Sequence, residues 1–178
     1  MKKQKKILVF SAIGLLSMIL SAGCIGWINQ SQTLSYELKV NKPVYVSFQI
    51  FNDPLSIPKW VSGFQDIKII SGNLDKPGSE YLLFLNQFGE DIQVSGVLKS
   101  FIDNKEYSCK YETKYSIGIF EAKFIGVNNN SKLRFSNTYT AKNIFYSILL
   151  YAMKENIDQQ QQQQFEKLKE VIESATWG

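Results

Sequence analysis

The feature that most constrains this chain is its punctuation between residues 63 and 143. Turn-forming residues recur there at short intervals: Ser71-Gly72-Asn73, Lys76-Pro77-Gly78, Phe88-Gly89, Asp103-Asn104 and Asn128-Asn129-Asn130. Such residues supply the backbone angles that hairpins need. The segments between them, 66–71, 80–87, 90–102, 105–113, 116–127 and 131–140, are of strand length. A parallel crossover needs a dozen or more residues, so gaps this short dictate an antiparallel meander. Within the strands, apolar and polar residues alternate. Ile92, Val94, Gly96 and Leu98 share one face; so do Tyr107, Cys109 and Tyr111, and so do Leu133, Phe135, Asn137 and Tyr139. A sheet with one wet face must bury the other.

The cover comes from the C-terminus. Residues 144–174 contain neither glycine nor proline, and Ile148, Tyr151, Phe165, Leu168 and Ile172 fall near helical spacing. One long helix is expected. Six consecutive glutamines, 159–164, weaken its apolar stripe. Glutamine is a good helix former, so the tract reads as a solvated stretch of the helix. Before the meander, residues 33–40 alternate as a half-buried strand. Asn41 offers a cap and Pro43 a first turn for a short apolar helix over 44–51, which Asn52-Asp53-Pro54 ends. A second short helix is expected around 57–61, closed by Ser62-Gly63.

The N-terminus differs from everything after it. Lys2, Lys3, Lys5 and Lys6 precede a run, residues 7–28, that is nearly all apolar or small; the next charged residue is Glu37. As a helix this run would be roughly 33 Å long, at about 1.5 Å per residue, which matches a hydrocarbon core of about 30 Å. A cleaved signal fits least, because Ile25, Trp27 and Ile28 carry the apolar run past the small residues. Leu20-Ser21-Ala22-Gly23-Cys24 resembles a bacterial lipobox, with Cys24 as the lipidation site. However, Ser21 stands where leucine is preferred, and an apolar stretch follows the cysteine. The length match favours a retained single-pass anchor, with Trp27 at the interface. The lysines then stay cytoplasmic and the domain lies outside the cytoplasm. Residues 1–30 therefore read as basic N-terminus and anchor, or lipoprotein signal, and residues 31–178 as one domain. Only the N-terminus is expected to touch lipid.

Charge and composition exclude several function classes. The chain has 20 basic and 16 acidic residues. Four of the lysines sit in the first six residues, so the remainder is formally neutral. A nucleic-acid partner would call for a basic surplus, and Arg134 is the sole arginine; nucleic acid is not an expected partner. With no histidine, His-based nucleophile arrangements and His-ligated metal sites are excluded. Cys24 and Cys109 cannot form a disulfide framework or a cysteine-rich metal site. No Gly-rich phosphate loop is present, and no metal, cofactor or catalytic residue is assigned.

The order strand, two short helices, six strands, long helix is the helix-grip order, an α+β arrangement in which a curved antiparallel sheet wraps a long C-terminal helix. Here one transmembrane or signal-type helix precedes it. Several motifs stand at matching places: Val40-Asn41-Lys42-Pro43, Phe51-Asn52-Asp53-Pro54, Ile57-Pro58-Lys59-Trp60, and Leu168-Lys169 with Glu173. On these the chain resembles the START-like superfamily, also called SRPBCC, and within it the polyketide cyclase/dehydrase and lipid-transport group. The resemblance spans residues 33–174. One departure is Val44-Tyr45, where the family often has an acidic residue after the proline. The resemblance implies a deep, mostly apolar pocket for a lipid, quinone, sterol or polyketide. It carries over no catalytic residue.

The expected cavity residues are Trp60, Leu98, Tyr111, Phe135, Asn137, Tyr139 and Ile148. Asn137 and Tyr139 could orient a ligand head group or be core residues satisfied by backbone. Trp60 could line the mouth or pin the short helices to the sheet. Glu90-Asp91 reads as a solvated turn rather than a catalytic pair, since adjacent strand residues face opposite ways. Glu121 would be a proton donor if it faced the cavity; its alternative is a surface residue balanced by Lys123. The balance favours a membrane-tethered binding or transfer module for a hydrophobic small molecule. A cyclase or dehydratase using the same cavity and a protein-interaction domain are the alternatives.

Overall fold

The computed structural model describes residues 31–176, so the proposed anchor, Trp27 and Cys24 lie outside the described residues. Strand β1 (Ser31–Val40) leads into helices α1 (Val44–Asn52) and α2 (Ile57–Trp60). Six strands follow: β2 (Phe64–Ser71), β3 (Glu80–Gln87), β4 (Glu90–Ile102), β5 (Glu106–Glu112), β6 (Ser116–Val127) and β7 (Asn130–Ala141). Helices α3 (Ile144–Ala152) and α4 (Lys154–Ser174) complete the chain. The strands form one antiparallel sheet in the order β1-β7-β6-β5-β4-β3-β2. The β2–β7 meander follows from the short turns, whereas β1 pairs with β7 across the length of the domain. Among the described residues, no helix is long and apolar enough to cross a membrane.

Two local expectations need correction. Asn41 does not cap α1: Pro43 holds the N-cap position, with no side-chain cap bond. The Asn41 N–H instead donates to Glu173 Oε1 at 2.9 Å, which ties the β1–α1 corner to the end of α4. The C-terminal helix is also not continuous. It breaks at Met153, whose φ of −93° and ψ of 0° place it in the bridge region. No glycine or proline marks this break. On the two sides of the break, α3 packs on β7 and α4 packs on β1, α1 and α2, a tertiary arrangement invisible to local propensity.

The core fills one half of the space under the sheet. Leu38, Ala122, Phe124, Leu133 and Phe135 face inward from β1, β6 and β7. Against them pack Val46, Phe48 and Phe51 of α1 and Phe165, Leu168 and Ile172 of α4. Phe135 and Phe165 stack at 4.1 Å between ring centroids, and Phe51 stacks on Trp60 at 5.3 Å. The Ser47 and Ser131 hydroxyls, both buried, pair at 2.7 Å and satisfy each other across the α1–β7 contact. The apolar stripe of α4 covers only its C-terminal half. Its N-terminal half presents glutamines to the sheet, and there the interior is open.

Candidate functional site

That open half is a cavity of about 600 Å³ under β3, β4 and β5, well within the range of small-molecule pockets. Leu83 and Leu85 of β3, Ile92 and Val94 of β4, Phe120 of β6, and Leu149, Leu150 and Met153 at the α3–α4 bend give it apolar walls. Phe51, Trp60 and Phe165 close the side next to the core.

Three of the polar groups inside come from one row across the sheet. Strand register aligns Tyr81 with Gly96, Gly96 with Tyr111, Tyr111 with Gly118, and Gly118 with Tyr139. Tyrosine and glycine thus alternate over five neighbouring strands. A glycine in a strand often marks the close approach of another group, and here two tyrosine rings occupy the space of the missing side chains. A Cβ on Gly96 would fall 2.1 Å from Tyr81 Cζ, and one on Gly118 would fall 2.4 Å from Tyr111 Cζ. The rings therefore lie across the neighbouring strand, with their hydroxyls directed along the sheet. Tyr111 donates to Asn137 Oδ1 at 2.7 Å, and Tyr139 donates to Gln32 Oε1 at 3.2 Å. The Tyr81 and Tyr107 hydroxyls lie 3.4 Å apart, beside the Cys109 thiol.

Burial keeps this set neutral. It pushes the phenols of Tyr81, Tyr107 and Tyr111 above the ordinary tyrosine range and raises the Cys109 thiol as well. Among the described lining residues the one formal charge is Glu90, beside the β3–β4 turn, and the exposed lining residues Phe88 and Leu149 mark the mouth at that end. Its carboxylate accepts hydrogen bonds from the Tyr115 hydroxyl and from Lys114 Nζ, which hold it below the usual carboxylate range. Asp91 accepts from Asn86 at 2.7 Å and Gln65 at 3.0 Å, and is lowered for that reason. The two carboxylates thus serve separate turn networks. Glu121 is exposed on the outer face, where it faces Ser108 and Ser136 on the flanking strands, so it cannot donate a proton into the cavity.

The structure distributes the expected lining residues unevenly. Trp60, Tyr111, Asn137 and Tyr139 line the cavity. Leu98, Phe135 and Ile148 do not. Leu98 is buried on β4 beyond the open half, next to Cys109 in register, and Phe135 is held in the core by Phe165. Ile148 is half-buried on α3, where Leu149 and Leu150 take the lining positions. Tyr81, Tyr107, Phe120, Gln160 and Gln161 join the lining without having been singled out. The glutamine tract also needs revision: Gln160, Gln161 and Gln164 fall on the inward face of α4 and roof the cavity, so half of the tract is not simply solvated. Gln164 accepts from the Ser62 N–H at 3.3 Å. One donor stands apart. Trp60 is 6% exposed, and its Nε1–H has no hydrogen-bond partner among the described residues.

The sequence matches no protein-family model and no curated protein. Solved structures do match over most of the chain. A START superfamily protein from Mycobacterium smegmatis is 11% identical, with a TM-score of 0.62 over 81% of this chain and 99% of that one. The Zhui aromatase/cyclase from Streptomyces sp. R1128 is 8% identical, with a TM-score of 0.66 over 80% and 94%. A protein from Thermus thermophilus is 9% identical, with a TM-score of 0.68 over 82% and 100%. The chain shares with the START superfamily protein and the aromatase/cyclase one α+β fold, a curved antiparallel sheet around a long C-terminal helix.

Proposed function

We propose that the domain binds an uncharged, largely apolar small molecule in this cavity, and that residues 7–28 hold it at a membrane with the domain outside the cytoplasm. The observation that carries the binding reading is the cavity itself. About 600 Å³ of space is walled by aliphatic and aromatic side chains beside a well-packed core. Interiors normally close-pack, so a void of this size within an otherwise packed domain is a feature to be filled. Its interior polar groups are neutral phenols, hydroxyls, amides, the Cys109 thiol and one indole N–H, with the Glu90 carboxylate at the mouth. A buried donor left without a partner costs free energy; a carbonyl or hydroxyl oxygen on the ligand would satisfy Trp60 Nε1. A charged ligand would meet no opposite charge in the interior and would lose its hydration there. These features favour a lipid, a quinone or a polyketide-like molecule over an anionic or cationic metabolite.

Binding is favoured over catalysis by the state of the interior groups. The raised phenols and thiol stay protonated near neutral pH, and the one lining carboxylate is held in a turn network at the mouth. The tether reading rests on the four lysines and the 22-residue apolar run, whose length suits the hydrocarbon core; lipidation at Cys24 is the alternative means of attachment.

Native mass spectrometry of the full chain, released from membranes in mild detergent, tests the binding reading. A stoichiometric lipid or quinone adduct is expected. A chain that stays empty after incubation with mixed membrane lipids would overturn it.

A further inference from the structure

Helix α3 is built in a way that the ligand cavity does not explain. Its nine residues, Ile-Phe-Tyr-Ser-Ile-Leu-Leu-Tyr-Ala, carry no charge, and Lys142 and Lys154 stand just beyond its two ends. Its one buried residue is Ser147. Phe145 is 78% exposed, Tyr151 46% and Leu149 41%. A surface helix ordinarily turns polar residues outward, and a helix that is apolar all round is covered by something.

A second anomaly lies at the same mouth. The Phe88-Gly89 turn between β3 and β4 has positive φ at both residues, 53° and 80°. Such turns favour Asn-Gly, because a bulky side chain is strained there. The turns at the opposite end of the sheet obey this preference, with Asn104 and Asn128 at their left-handed positions. Here a phenylalanine takes the strained position, and it is 55% exposed. Its strain is not offset by burial in the core.

Side-chain contacts join these pieces. Glu90, beside the Phe88 turn, bonds Tyr115 and Lys114 of the β5–β6 turn, and the Tyr115 ring meets Tyr146 of α3 edge-on at 5.1 Å. Phe88 and Leu149 both line the cavity while remaining exposed. The chain start is delivered to the same end. Ser31 pairs with Thr140, next to the last residue of β7 and shortly before α3. The apolar run ends at Ile28, so the intervening residues reach at most about 11 Å at roughly 3.3–3.6 Å per residue. The proposed anchor, the bare face of α3 and the cavity mouth therefore share one end of the domain.

We propose that this end, α3 together with Phe88, docks on the lipid surface, with the exposed face of α3 lying in the membrane interface. The inference rests on the tether reading above and goes beyond it. Lipid is touched by the folded domain as well as by the N-terminus, and the cavity opens against the bilayer, so that an apolar ligand passes between the two without crossing water. Apolar and aromatic residues followed by Lys154 suit the interface, where rings sit at the headgroup level and a lysine reaches into it; Lys142, at the other end, is held by Glu112 at 2.6 Å.

The test uses the full chain reconstituted into vesicles of phosphatidylethanolamine and phosphatidylglycerol, with and without brominated acyl chains, which quench indole emission on contact. Phe145→Trp and Tyr151→Trp place an added indole on the exposed face of α3, outside the cavity lining. Ile125→Trp places one on the outer sheet face toward the other end. Bromination is expected to quench the added emission severalfold more at 145 and 151 than at 125. Equal quenching at all three positions would overturn the docking inference. So would a blue-shifted but unquenched indole at 145, which would mean that protein, a second copy or the chain's own apolar run, covers α3. The parent chain carries Trp27, Trp60 and Trp177, and the part of its quenching that Trp27→Phe abolishes reports the tether separately. A quenched parent with unquenched 145 and 151 defeats docking alone, whereas an unquenched parent defeats the tether and docking together.

Discussion

The ring of Tyr111 lies over Gly118, its register partner on β6, in space that any larger residue would claim. A Cβ there would stand 2.4 Å from Cζ and 2.5 Å from the hydroxyl oxygen, the atom that donates to Asn137. Gly118→Ala must therefore push the ring into the cavity and loosen the Asn137 bond. The expected cost is about 1–3 kcal/mol, the usual range for overpacking, accompanied by weaker ligand binding. Chemical denaturation measures the first and ligand titration the second. Unchanged values for both would mean that the ring moves freely and positions nothing.

Core and outer sheet face should respond oppositely to charge. Phe135→Asp buries an unpaired carboxylate against Phe165 and Phe51, and a loss of several kcal/mol is expected. Ile119, also on the sheet but facing outward and 50% exposed, should tolerate aspartate within about 0.5 kcal/mol. Urea unfolding of the two variants checks the face assignment directly.

Alkaline titration should be cooperative. Burial raises the phenols of Tyr81, Tyr107 and Tyr111 in the folded state, so above the ordinary tyrosine value of about 10 the unfolded chain gives up protons that the folded one retains. Stability is then fully present below about pH 10 and falls as pH rises further. Tyrosinate absorbance from these residues should appear together with the loss of near-ultraviolet circular dichroism. Their ionisation in an intact fold would contradict the buried network.

The glutamine roof offers a change of selectivity without loss of fold. Gln160 and Gln161 line the cavity, and neither has a side-chain hydrogen-bond partner among the described residues. Replacing both with leucine keeps helix propensity and removes the amides. Thermal stability should be unchanged or raised, and the bound ligand population should shift toward molecules with fewer oxygen atoms, as read by mass spectrometry of extracts.

The architecture was legible because its signals are local. Turn residues and period-two alternation located all seven strands, and three of them, β3, β4 and β6, match residue for residue. The break at Met153 was hidden because it answers to the sheet beneath, not to any breaker residue. The cavity was half legible. Alternation put Tyr111, Asn137 and Tyr139 on the inner face, but it could not separate Leu98 and Phe135, on that same face, from residues facing open space. That division depends on where the apolar stripe of α4 gives way to glutamine. The Tyr–Gly row was within reach of the sequence: once short turns set the hairpin registers, Tyr81 meets Gly96 and Tyr111 meets Gly118. The asparagine cap failed because the helix starts later than the sequence suggests: Pro43 holds the N-cap position and Asn41 lies two residues before it, where its backbone N–H donates to Glu173 Oε1.

The central claim is that the cavity holds a ligand, and filling it is the most direct trial. Val94 lines the cavity from β4, so Val94→Trp should occupy the space while a thermal melt confirms that the domain remains folded. Native mass spectrometry of parent and variant side by side should show a one-to-one adduct on the parent that is lost from the variant. An adduct that persists on the folded variant, or a parent that carries none, would contradict the account.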